Sequence, residues 1–586
     1  MSLPTENNST SQPSALDNIK HVIVLMFENR SFDHLLGAMP GVNGVLDGNG
    51  KVNQQELYNT LKPLEKQSKT NVPTYPTEII PGKNPIQPSS SLPSPNSLPS
   101  PPYYEQDCII YDFNHNFGSG MIQDLYGPGT TGVENGKPQN NPKTTYPSSN
   151  SGFLEVMNQR ILKDKGDTTV DFSVMSYFQW GSMQVFHTLA KNFVVCDAWH
   201  CDMPGHTVPN RAFMHCATVG DLGIDDNDAH SQDGQYEQKK HNMVNRKTIF
   251  EQIQENKQTW KMYWPGGNCD TDWLNTQVFS QQYKATNPTQ NNVTQVPIAT
   301  FFTDASKGSL PFYSFIMCWN SVLNGGDTSM HPAHGVEYGE NFLACIYNAL
   351  RASPCWENTL LIVNFDENGG IYDHNPIPPV SRPGDITPPV QHWKGKDGKE
   401  YSFDFSVLGL RIPVLLISPW LNAGVCSTQY QNTSILSFLQ GKNFLPNANP
   451  NYLTERDKNA PSIAPVFDYS NFGSNTLRAN CPENIKGQGN GYGDSFQILN
   501  TELPADTSPK DGESDEGGSD QREDLAAKPL PHIADMTREY LAALPGHADS
   551  GKTITRDFAT VGEMLAYAKE RRDAALTYIK AKQSQE

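Results

Sequence analysis

The stretch that decides the fold is residues 21–33, which read HVIVLMFENRSFD. It begins with an apolar run of strand length that ends abruptly in Glu28, Asn29 and Arg30. A continuous apolar strand is typical of a strand that is buried on both faces of a parallel sheet. Ligands of open α/β sheets bind where strands end at their carboxyl edge. The stretch therefore predicts a buried strand that delivers a carboxylate and an amide to a functional site.

A second copy of this pattern lies far downstream. Residues 360–365 read LLIVNF and lead into Asp366 and Glu367, with Asp373 and His374 shortly after. If both strands end at one edge, their carboxylates and the amide favour a hard cation such as magnesium, calcium or manganese, whereas added histidines favour zinc. The alternative is that each acidic residue caps a helix after its strand. Two such strand ends together favour the metal site.

A third segment offers a nucleophile. Residues 203–211 read MPGHTVPNR and follow the apolar run 193–197. A threonine hydroxyl such as that of Thr207 is a weak nucleophile until a base or a metal lowers its pKa. A turn rich in Pro and Gly could present it at a helix start, where backbone donors bind anions. Taken without the other segments, the favoured alternative is that Thr207 caps a helix and Arg211 is a surface cation.

These segments together resemble the bacterial phosphoesterase family. The residues that carry the resemblance are 28–34 (ENRSFDH), 209–211 (PNR) and 366–370 (DENGG), followed by Asp373 and His374. The family includes phosphatidylcholine-type phospholipases C, plant non-specific phospholipases C and a group of acid phosphatases, and it belongs to the alkaline-phosphatase-like superfamily. The similarity extends over roughly residues 18 to 440.

The resemblance implies roles for single residues. It implies a metal site made of Glu28, Asn29, Thr207, Asp366 and Glu367, with Thr207 also acting as the nucleophile. It further implies catalytic histidines near the phosphoryl group, which are His115, His331 and His374. The substrate-binding residues would be Arg211 and Asp373. One divalent ion, zinc or calcium, is the expected cofactor.

A second metal ion is an open alternative. Asp327 and His331 form Asp-x-x-x-His, which looks like the second-metal pattern of the wider superfamily, with His374 as a third ligand. Two cations about 3.5–4 Å apart would clamp the attacking and leaving oxygens. His334 fits this pattern equally well. The sequence also departs from the family before Thr433, because Gln431-Asn432 stands where the family usually carries Asp-His.

The composition limits the classes of molecule that the protein is expected to bind. A net charge of −19 argues against nucleic acid and against anionic membranes, but a zwitterionic phospholipid surface remains compatible. The first 20 residues are polar, and no run of 18 apolar residues occurs, so we expect neither a visible signal peptide nor a transmembrane helix. Secretion or export is expected from the family resemblance alone.

The ten cysteines show no paired metal-type spacing. Cys196 and Cys345 lie in apolar runs and are predicted to be buried thiols. A disulfide among Cys196, Cys201 and Cys216 is left open, because sequence does not determine connectivity.

The alternation of predicted strands and helices along the chain predicts an α/β fold with a doubly wound, mostly parallel sheet and helices on both faces. By resemblance this fold is alkaline-phosphatase-like. We expect a catalytic domain over 18–500, an acidic flexible linker over 502–525 and a small helical C-terminal element over 526–586.

The predicted activity is that of a metal-dependent phospholipase C. It would cleave phosphatidylcholine-type lipids to diacylglycerol and a phosphorylated headgroup through a phosphothreonine intermediate. One alternative is an acid phosphatase that acts on soluble phosphomonoesters. The other is a catalytically silent binding protein on the same fold.

Overall fold

The chain is described by a computed structural model. The described residues are 14–45, 120–127, 129–140, 148, 150, 152–153, 156, 174, 177–178, 180–220, 246–264, 295–318, 328–332, 336–386, 389–394, 399–441, 444–446 and 451–486. The predicted linker and C-terminal helical element, His115, Asp327 and His334 all lie outside these residues. The proposed domain boundaries therefore stay predictions.

Strands and helices alternate through the described residues. The strands are β1 His21–Phe27, β2 Gly132–Glu134, β3 Lys137–Pro138, β4 Val194–Cys196, β5 Trp199–His200, β6 Trp260–Trp264, β7 Gln295–Pro297, β8 Tyr313–Met317, β9 Thr359–Phe365, β10 Gln391–Lys394, β11 Glu400–Phe403, β12 Val414–Ile417, β13 Gly424–Cys426 and β14 Tyr430–Gln431. The α-helices are α1 Phe32–Leu36, α2 Ile122–Tyr126, α3 Gln184–Asn192, α4 Thr207–Cys216, α5 Ile249–Glu255, α6 Ile298–Lys307, α7 Glu337–Arg351, α8 Thr433–Leu439 and α9 Glu455–Asn459. Short 3₁₀ helices cover Ala15–Asn18, Trp356–Asn358 and Ala464–Phe467.

The main sheet has eight strands in the order β13-β4-β12-β9-β1-β8-β6-β7. All of its pairings are parallel except those of β12, which runs antiparallel to both β4 and β9. This confirms the predicted mixed α/β fold with a mostly parallel central sheet. The detail of helices winding over both faces stays a prediction.

The two apolar runs recognised in the sequence lie side by side at the centre of this sheet. β1 and β9 pair in parallel, with Val22 opposite Leu360 and Phe27 opposite Phe365. Every residue from 22 to 27 is fully buried, as are the residues of β9. The continuous apolar pattern thus reflects strands with neighbours on both edges and cover on both faces. The register brings the residues that follow each strand to one edge of the sheet.

A buried carboxylate fixes the helix that leads into β4. Glu340 Oε1 on α7 accepts hydrogen bonds from the backbone N–H groups of Val185 and Phe186, at 3.1 and 2.7 Å. The first N–H groups of a helix have no partner within the helix, and negative charge there is favourable. Glu340 therefore anchors the start of α3 to α7.

The cysteines follow the prediction only in part. Cys196 is fully buried, as expected. The prediction was wrong for Cys345, which is only partly buried. It lies on α7 in line with Asn348 and Ala349, positions three and four residues further on that are also partly exposed. Among the described helices, none is long and apolar enough to cross a membrane.

Three histidines are packed inside the fold in their neutral form. Burial lowers the pKa of His187 to about 4, although the hydrogen bond to the Leu35 carbonyl opposes the shift. Burial lowers the pKa of His200 and of His215 to about 3 each, and the charge of Arg211 adds to the effect on His215. An unperturbed histidine titrates near 6.5, so the unfolded chain takes up protons before these folded sites do.

We therefore expect stability to fall as the pH drops from about 6.5 towards 4. In this window the unfolded state binds more protons, so each buried histidine removes at most about 1.4 kcal/mol of unfolding free energy per pH unit. Replacing His215, whose ring packs against Phe250 and Phe315, by Phe should flatten this dependence. Urea unfolding of the wild type and His215→Phe at pH 7, 6 and 5 measures it.

The matched control is His392→Gln, since His392 lies exposed on β10. This variant should retain the full acid dependence of the wild type. An equal pH slope for His215→Phe and the wild type would contradict the assignment of His215 as a buried neutral group.

Candidate active site

The two central strands deliver four polar residues to one point. Glu28 and Asn29 follow β1, and Asp366 and Glu367 follow β9 directly opposite. Asp366 Oδ1 accepts hydrogen bonds from the backbone N–H of Asn29 at 3.1 Å and of Glu367 at 2.8 Å. Asn29, Asp366 and Glu367 are fully buried, and Glu28 is 5% exposed. Asp366 thus joins the two strand ends, and none of these side chains caps a helix.

The backbone around these strand ends is tightly constrained. Asn29 has a φ of 63°, in the left-handed region. Gly369 has a φ of +65°, and a Cβ there would lie 2.3 Å from the Asn29 carbonyl oxygen, so no larger residue fits without a shift. The Gly369 N–H donates to Glu367 Oε2 at 2.6 Å, and the Arg30 N–H donates to the Glu367 carbonyl at 3.1 Å. The turn after β9 is therefore fitted against the turn after β1.

Thr207 reaches this point from a third segment. It is the first residue of α4, and His206 before it is the N-cap, with extended backbone and no side-chain capping bond. The Thr207 hydroxyl donates to Asn29 Oδ1 at 3.3 Å. The alternative in which Thr207 caps the helix is therefore not what the structure has. Its hydroxyl is turned towards the end of β1.

A neighbouring asparagine holds the loop that presents Thr207. Asn210 Oδ1 accepts from the Met203 N–H at 3.1 Å. Its Nδ2 donates to the carbonyls of Met203, Gly205 and His206 at 3.0 to 3.2 Å. Asn210 is fully buried. Asn210 lies within the Pro-Asn-Arg motif, but its role in holding this loop is not evident from the sequence.

Arg211 is a buried bridge and not a surface cation. Its Nη2 lies 2.7 Å from Glu28 Oε1, and its Nε lies 3.3 Å from Asp366 Oδ2. The side chain is nearly inaccessible to solvent. Burying a carboxylate is unfavourable unless a charge and hydrogen bonds compensate it. Arg211 provides this for both strand ends and ties α4 to them.

The residues expected to hold a divalent cation offer carboxylate, amide and hydroxyl oxygens, and they are Glu28, Asn29, Thr207, Asp366 and Glu367. The Thr207 hydroxyl contacts Asn29, and Arg211 joins the carboxylates of Glu28 and Asp366. Glu367 Oε2 accepts from the Gly369 N–H of its own turn. Such an all-oxygen set is typical of hard cations, and zinc also accepts carboxylate ligands.

A second buried cluster lies on the residues just beyond each strand end. Ligand atoms of Asp33, Asp373 and His374 lie within 4.8 Å of one another, and this group could hold a metal ion. Arg411 already forms ion pairs with both carboxylates, from Nη2 to Asp33 Oδ1 and from Nε to Asp373 Oδ1, each at 2.9 Å. A cation here would compete with the Arg411 guanidinium, just as a cation between Glu28 and Asp366 would compete with that of Arg211. Among the His, Cys, Asp and Glu side chains that the structure describes, no other group of three lies this close together.

Charges within this cluster set the protonation of His374. Burial lowers its pKa, but the Asp33 carboxylate, 2.7 Å from Nδ1, outweighs burial, and the net pKa is raised. Burial likewise raises the pKa of Asp33, but His374 and Arg411 reverse this and the net pKa is lowered. The pKa of Asp373 stays raised, because burial exceeds the effect of Arg411. His374 is thereby favoured as the charged imidazolium.

The two predicted histidines within the described residues have different neighbours. His374 Nε2 lies 3.1 Å from Asn43 Oδ1, so this histidine belongs to the Arg411 cluster. His331 is buried, and its Nδ1 lies 3.0 Å from the Pro332 carbonyl. It follows a segment that contacts the end of β1, where the Ser329 carbonyl accepts from the Glu28 N–H at 2.8 Å.

Asn432 occupies the position where the family usually carries histidine. Its Oδ1 accepts from Trp199 Nε1 at 3.0 Å and from Asn364 Nδ2 at 3.1 Å. Its Nδ2 donates to the Phe365 carbonyl at 3.1 Å. Asn432 is fully buried and supports the last residues of β9 immediately before Asp366.

Comparison with known proteins agrees with this geometry. The model of the phosphoesterase family matches residues 19–445. Among similar proteins, non-specific phospholipase C5 of Arabidopsis thaliana is 28% identical over 501 residues, 82% of this chain and 78% of its own. Non-specific phospholipase C3 of the same plant is 29% identical over 490 residues, 81% of this chain and 78% of its own. The non-hemolytic phospholipase C of Burkholderia pseudomallei (strain K96243) is 26% identical over 72% of this chain and 55% of its own.

A solved structure of a protein in the alkaline phosphatase superfamily from Vibrio parahaemolyticus covers 44% of this chain and 59% of its own, with 12% identity and a TM-score of 0.25. That score is too low to carry an argument, so the alkaline-phosphatase-like assignment stays a prediction. The family match spans most of the sequence and includes every motif built into the strand-end site. The chain therefore belongs to the phosphoesterase family and is a phosphoric ester hydrolase.

Proposed function

We propose that this chain is a metal-dependent phospholipase C that cleaves phosphatidylcholine-type phospholipids into diacylglycerol and a phosphorylated headgroup. The observation that carries the proposal is the Thr207 hydroxyl, 3.3 Å from Asn29 Oδ1 at a junction of two strand ends rich in carboxylates. Relatives named phospholipase C, which match over most of their length, support the lipid substrate. Secretion or export remains an expectation from the resemblance.

Thr207 acts as the nucleophile in this proposal. Its Oγ1 forms a bond to phosphorus, and the bond from phosphorus to the glycerol oxygen breaks, so diacylglycerol leaves. Water then cleaves the phosphothreonine and releases the phosphorylated headgroup. A divalent cation held by Glu28, Asn29, Asp366 and Glu367 would lower the pKa of the attacking hydroxyl and offset charge on the phosphoryl oxygens.

The start of α4 supports phosphate binding. Free backbone N–H groups at a helix N-terminus favour anions, and Thr207 stands at the first position of this ten-residue helix. Arg211 lies one turn further along the same helix and fixes its position through Glu28 and Asp366. We infer that Arg211 mainly orients Thr207 and its ligand environment, since its guanidinium forms ion pairs with these carboxylates.

A protonated histidine would supply the proton to the leaving glycerol oxygen. His374 is favoured, because Asp33 raises its pKa and keeps it charged. His331 and His115 are the other candidates, and Asp373 stays a proposed substrate-binding residue held by Arg411. A second metal ion at Asp327, His331 and His374 also stays a proposal.

Removing the proposed nucleophile should abolish turnover. We expect Thr207→Ala to lower kcat by at least about 10³-fold, because no covalent intermediate can form. Thr207→Ser should retain measurable activity through its hydroxyl. Acid-quenched wild-type enzyme should carry phosphate on the peptide that contains Thr207, as detected by mass spectrometry.

The control is Thr303→Ala, which removes an exposed hydroxyl on α6 that bonds only locally, to the Ala299 carbonyl. Its rate should equal that of the wild type. Unchanged turnover in a folded Thr207→Ala protein would remove Thr207 from the mechanism.

The metal requirement can be tested directly. We expect dialysis against a chelator to abolish activity, and calcium, magnesium, manganese or zinc to restore it to different degrees. Asp366→Asn should weaken metal affinity by at least about 10-fold, because a charged oxygen ligand is replaced by a neutral one. Metal content by elemental analysis is measured beside the rate.

Asp17→Asn, at an exposed carboxylate near the first described residues, serves as the control and should bind metal normally. Full activity in protein whose metal content falls well below one equivalent would contradict metal dependence.

Substrate class can be separated by two assays on one preparation. We expect phosphatidylcholine vesicles to be cleaved with a kcat/KM at least about 10²-fold above that for a soluble aryl phosphate. The reason is that a site for diesters stabilises the transition state through contacts to both substituents of the phosphate. Mass spectrometry should identify diacylglycerol and phosphocholine as products. Turnover of the aryl phosphate alone would establish the acid phosphatase alternative, and binding without turnover of either would establish the silent binding protein.

A further inference from the structure

A pair of cysteines at the edge of the main sheet takes no part in the site described above. Cys196 is the last residue of β4, and Cys426 is the last residue of β13, the outermost strand. The two strands are parallel, and Cys426 is the register partner of Cys196. Register partners in a parallel pair carry their side chains on the same face, and the two thiols lie close enough for each to shift the pKa of the other.

We propose that Cys196 and Cys426 are a covalent modification site that closes to a disulfide when the protein meets a thiol oxidant. Neighbouring strands lie about 4.7–4.9 Å apart, within the roughly 4.4–6.8 Å between Cα atoms that a disulfide spans. Both cysteines are strand ends. Among the described strands β13 has a neighbour on one side only, so small adjustments of this outer strand do not disturb the sheet centre.

The two thiols differ in a way that suits this reaction. The hydrogen bond from Cys196 lowers the pKa of Cys426 to about 6, against the effect of burial, with further help from Thr428 and Tyr430. Burial raises the pKa of Cys196. The attacking thiolate is therefore Cys426, and Cys196 is the resolving thiol. Cys426 is 5% exposed, and the three residues that follow it, 427–429, are exposed and give an oxidant a route to the sulfur.

The reaction balances with a small-molecule disulfide such as oxidised glutathione. The Cys426 thiolate attacks one sulfur of the oxidant, forms a mixed disulfide and releases one glutathione as its thiolate. Cys196 then loses its proton and attacks Cys426 Sγ, which expels the second glutathione. The protein thiols lose two electrons and two protons, and oxidised glutathione is reduced to two thiols.

Other buried cysteines in the described part of the chain have different partners. The thiols of Cys201, Cys318 and Cys481 each donate to a backbone carbonyl, of Met203, Met26 and Arg478 respectively. The pair at β4 and β13 is thus set apart by its mutual contact.

Closure of the bond would act on the second buried cluster. Asp197 follows Cys196 directly, and its carbonyl accepts from Arg411 Nη1 at 2.8 Å. Its Oδ2 accepts from the Asn43 N–H, also at 2.8 Å. A disulfide would therefore fix the end of β4 that positions Arg411.

Thiol counting and peptide mapping test the proposal. The full-length protein is reduced, freed of reductant and incubated under native conditions with oxidised glutathione. Of the ten thiols, two should disappear, and mass spectrometry of an unreduced digest should show the peptides of Cys196 and Cys426 joined. The thermal midpoint should rise by about 3 °C or more, because the bond closes a very long loop.

Two variants complete the design. Cys345→Ser, at the partly exposed cysteine of α7, should still lose two thiols on oxidation, whereas Cys426→Ser should keep all nine that it has. Mapping of the wild type overturns the proposal, whatever the variants do, if the joined peptide is absent, if a mixed disulfide persists on Cys426, or if another pair is joined. None of these outcomes depends on phospholipase activity.

Discussion

The parallel pairing of β1 with β9 is the constraint on which the rest of the site depends. Its register places Phe27 opposite Phe365, so that the two polar segments after them begin at the same level. Asp366 then fastens the two segments together through the Asn29 N–H. A shift by one residue would turn each side chain to the opposite face of the sheet. The apolar character of both strands therefore determines where the chemistry lies as well as how the core packs.

Charge compensation by arginine is repeated in two neighbouring clusters. Arg211 joins the carboxylates of Glu28 and Asp366, and Arg411 joins those of Asp33 and Asp373. In each cluster one guanidinium connects an acid after β1 with an acid after β9. The two clusters differ in the other side chains that surround each guanidinium. The Arg211 cluster includes the Thr207 hydroxyl and the Asn29 amide, whereas the Arg411 cluster includes an imidazole whose pKa is raised by Asp33.

Local patterns in the sequence were sufficient for the strands and for the convergence of their ends. Short segments of sequence are enough to recognise each of these features. They are the apolar runs, the Pro/Gly turn before Thr207 and the acidic residues after each strand. The roles of Arg411 and Asn432 could not be read in this way, because their partners lie tens to hundreds of residues away. Arg411 and Asp33 are 378 positions apart, and only the assembled sheet brings them together. The alternative in which Arg211 is a surface cation stayed open for the same reason, since helix spacing alone does not reveal that Glu28 faces it.

The order of the strands has a consequence for how the protein is made. A ribosome delivers β1 well before its partner β9, which is 337 residues behind at the level of Asn29 and Asp366. Arg411 and Asn432 arrive later still, and β12 must insert between β4 and β9 to close the sheet. Long-range parallel pairing is intrinsically slow, because loop closure precedes any gain from the contacts. A nascent chain therefore lacks the pairing that assembles the proposed reaction centre until nearly the whole family region has been translated. If the proposed site is correct, hydrolytic activity is kept away from incomplete polypeptides.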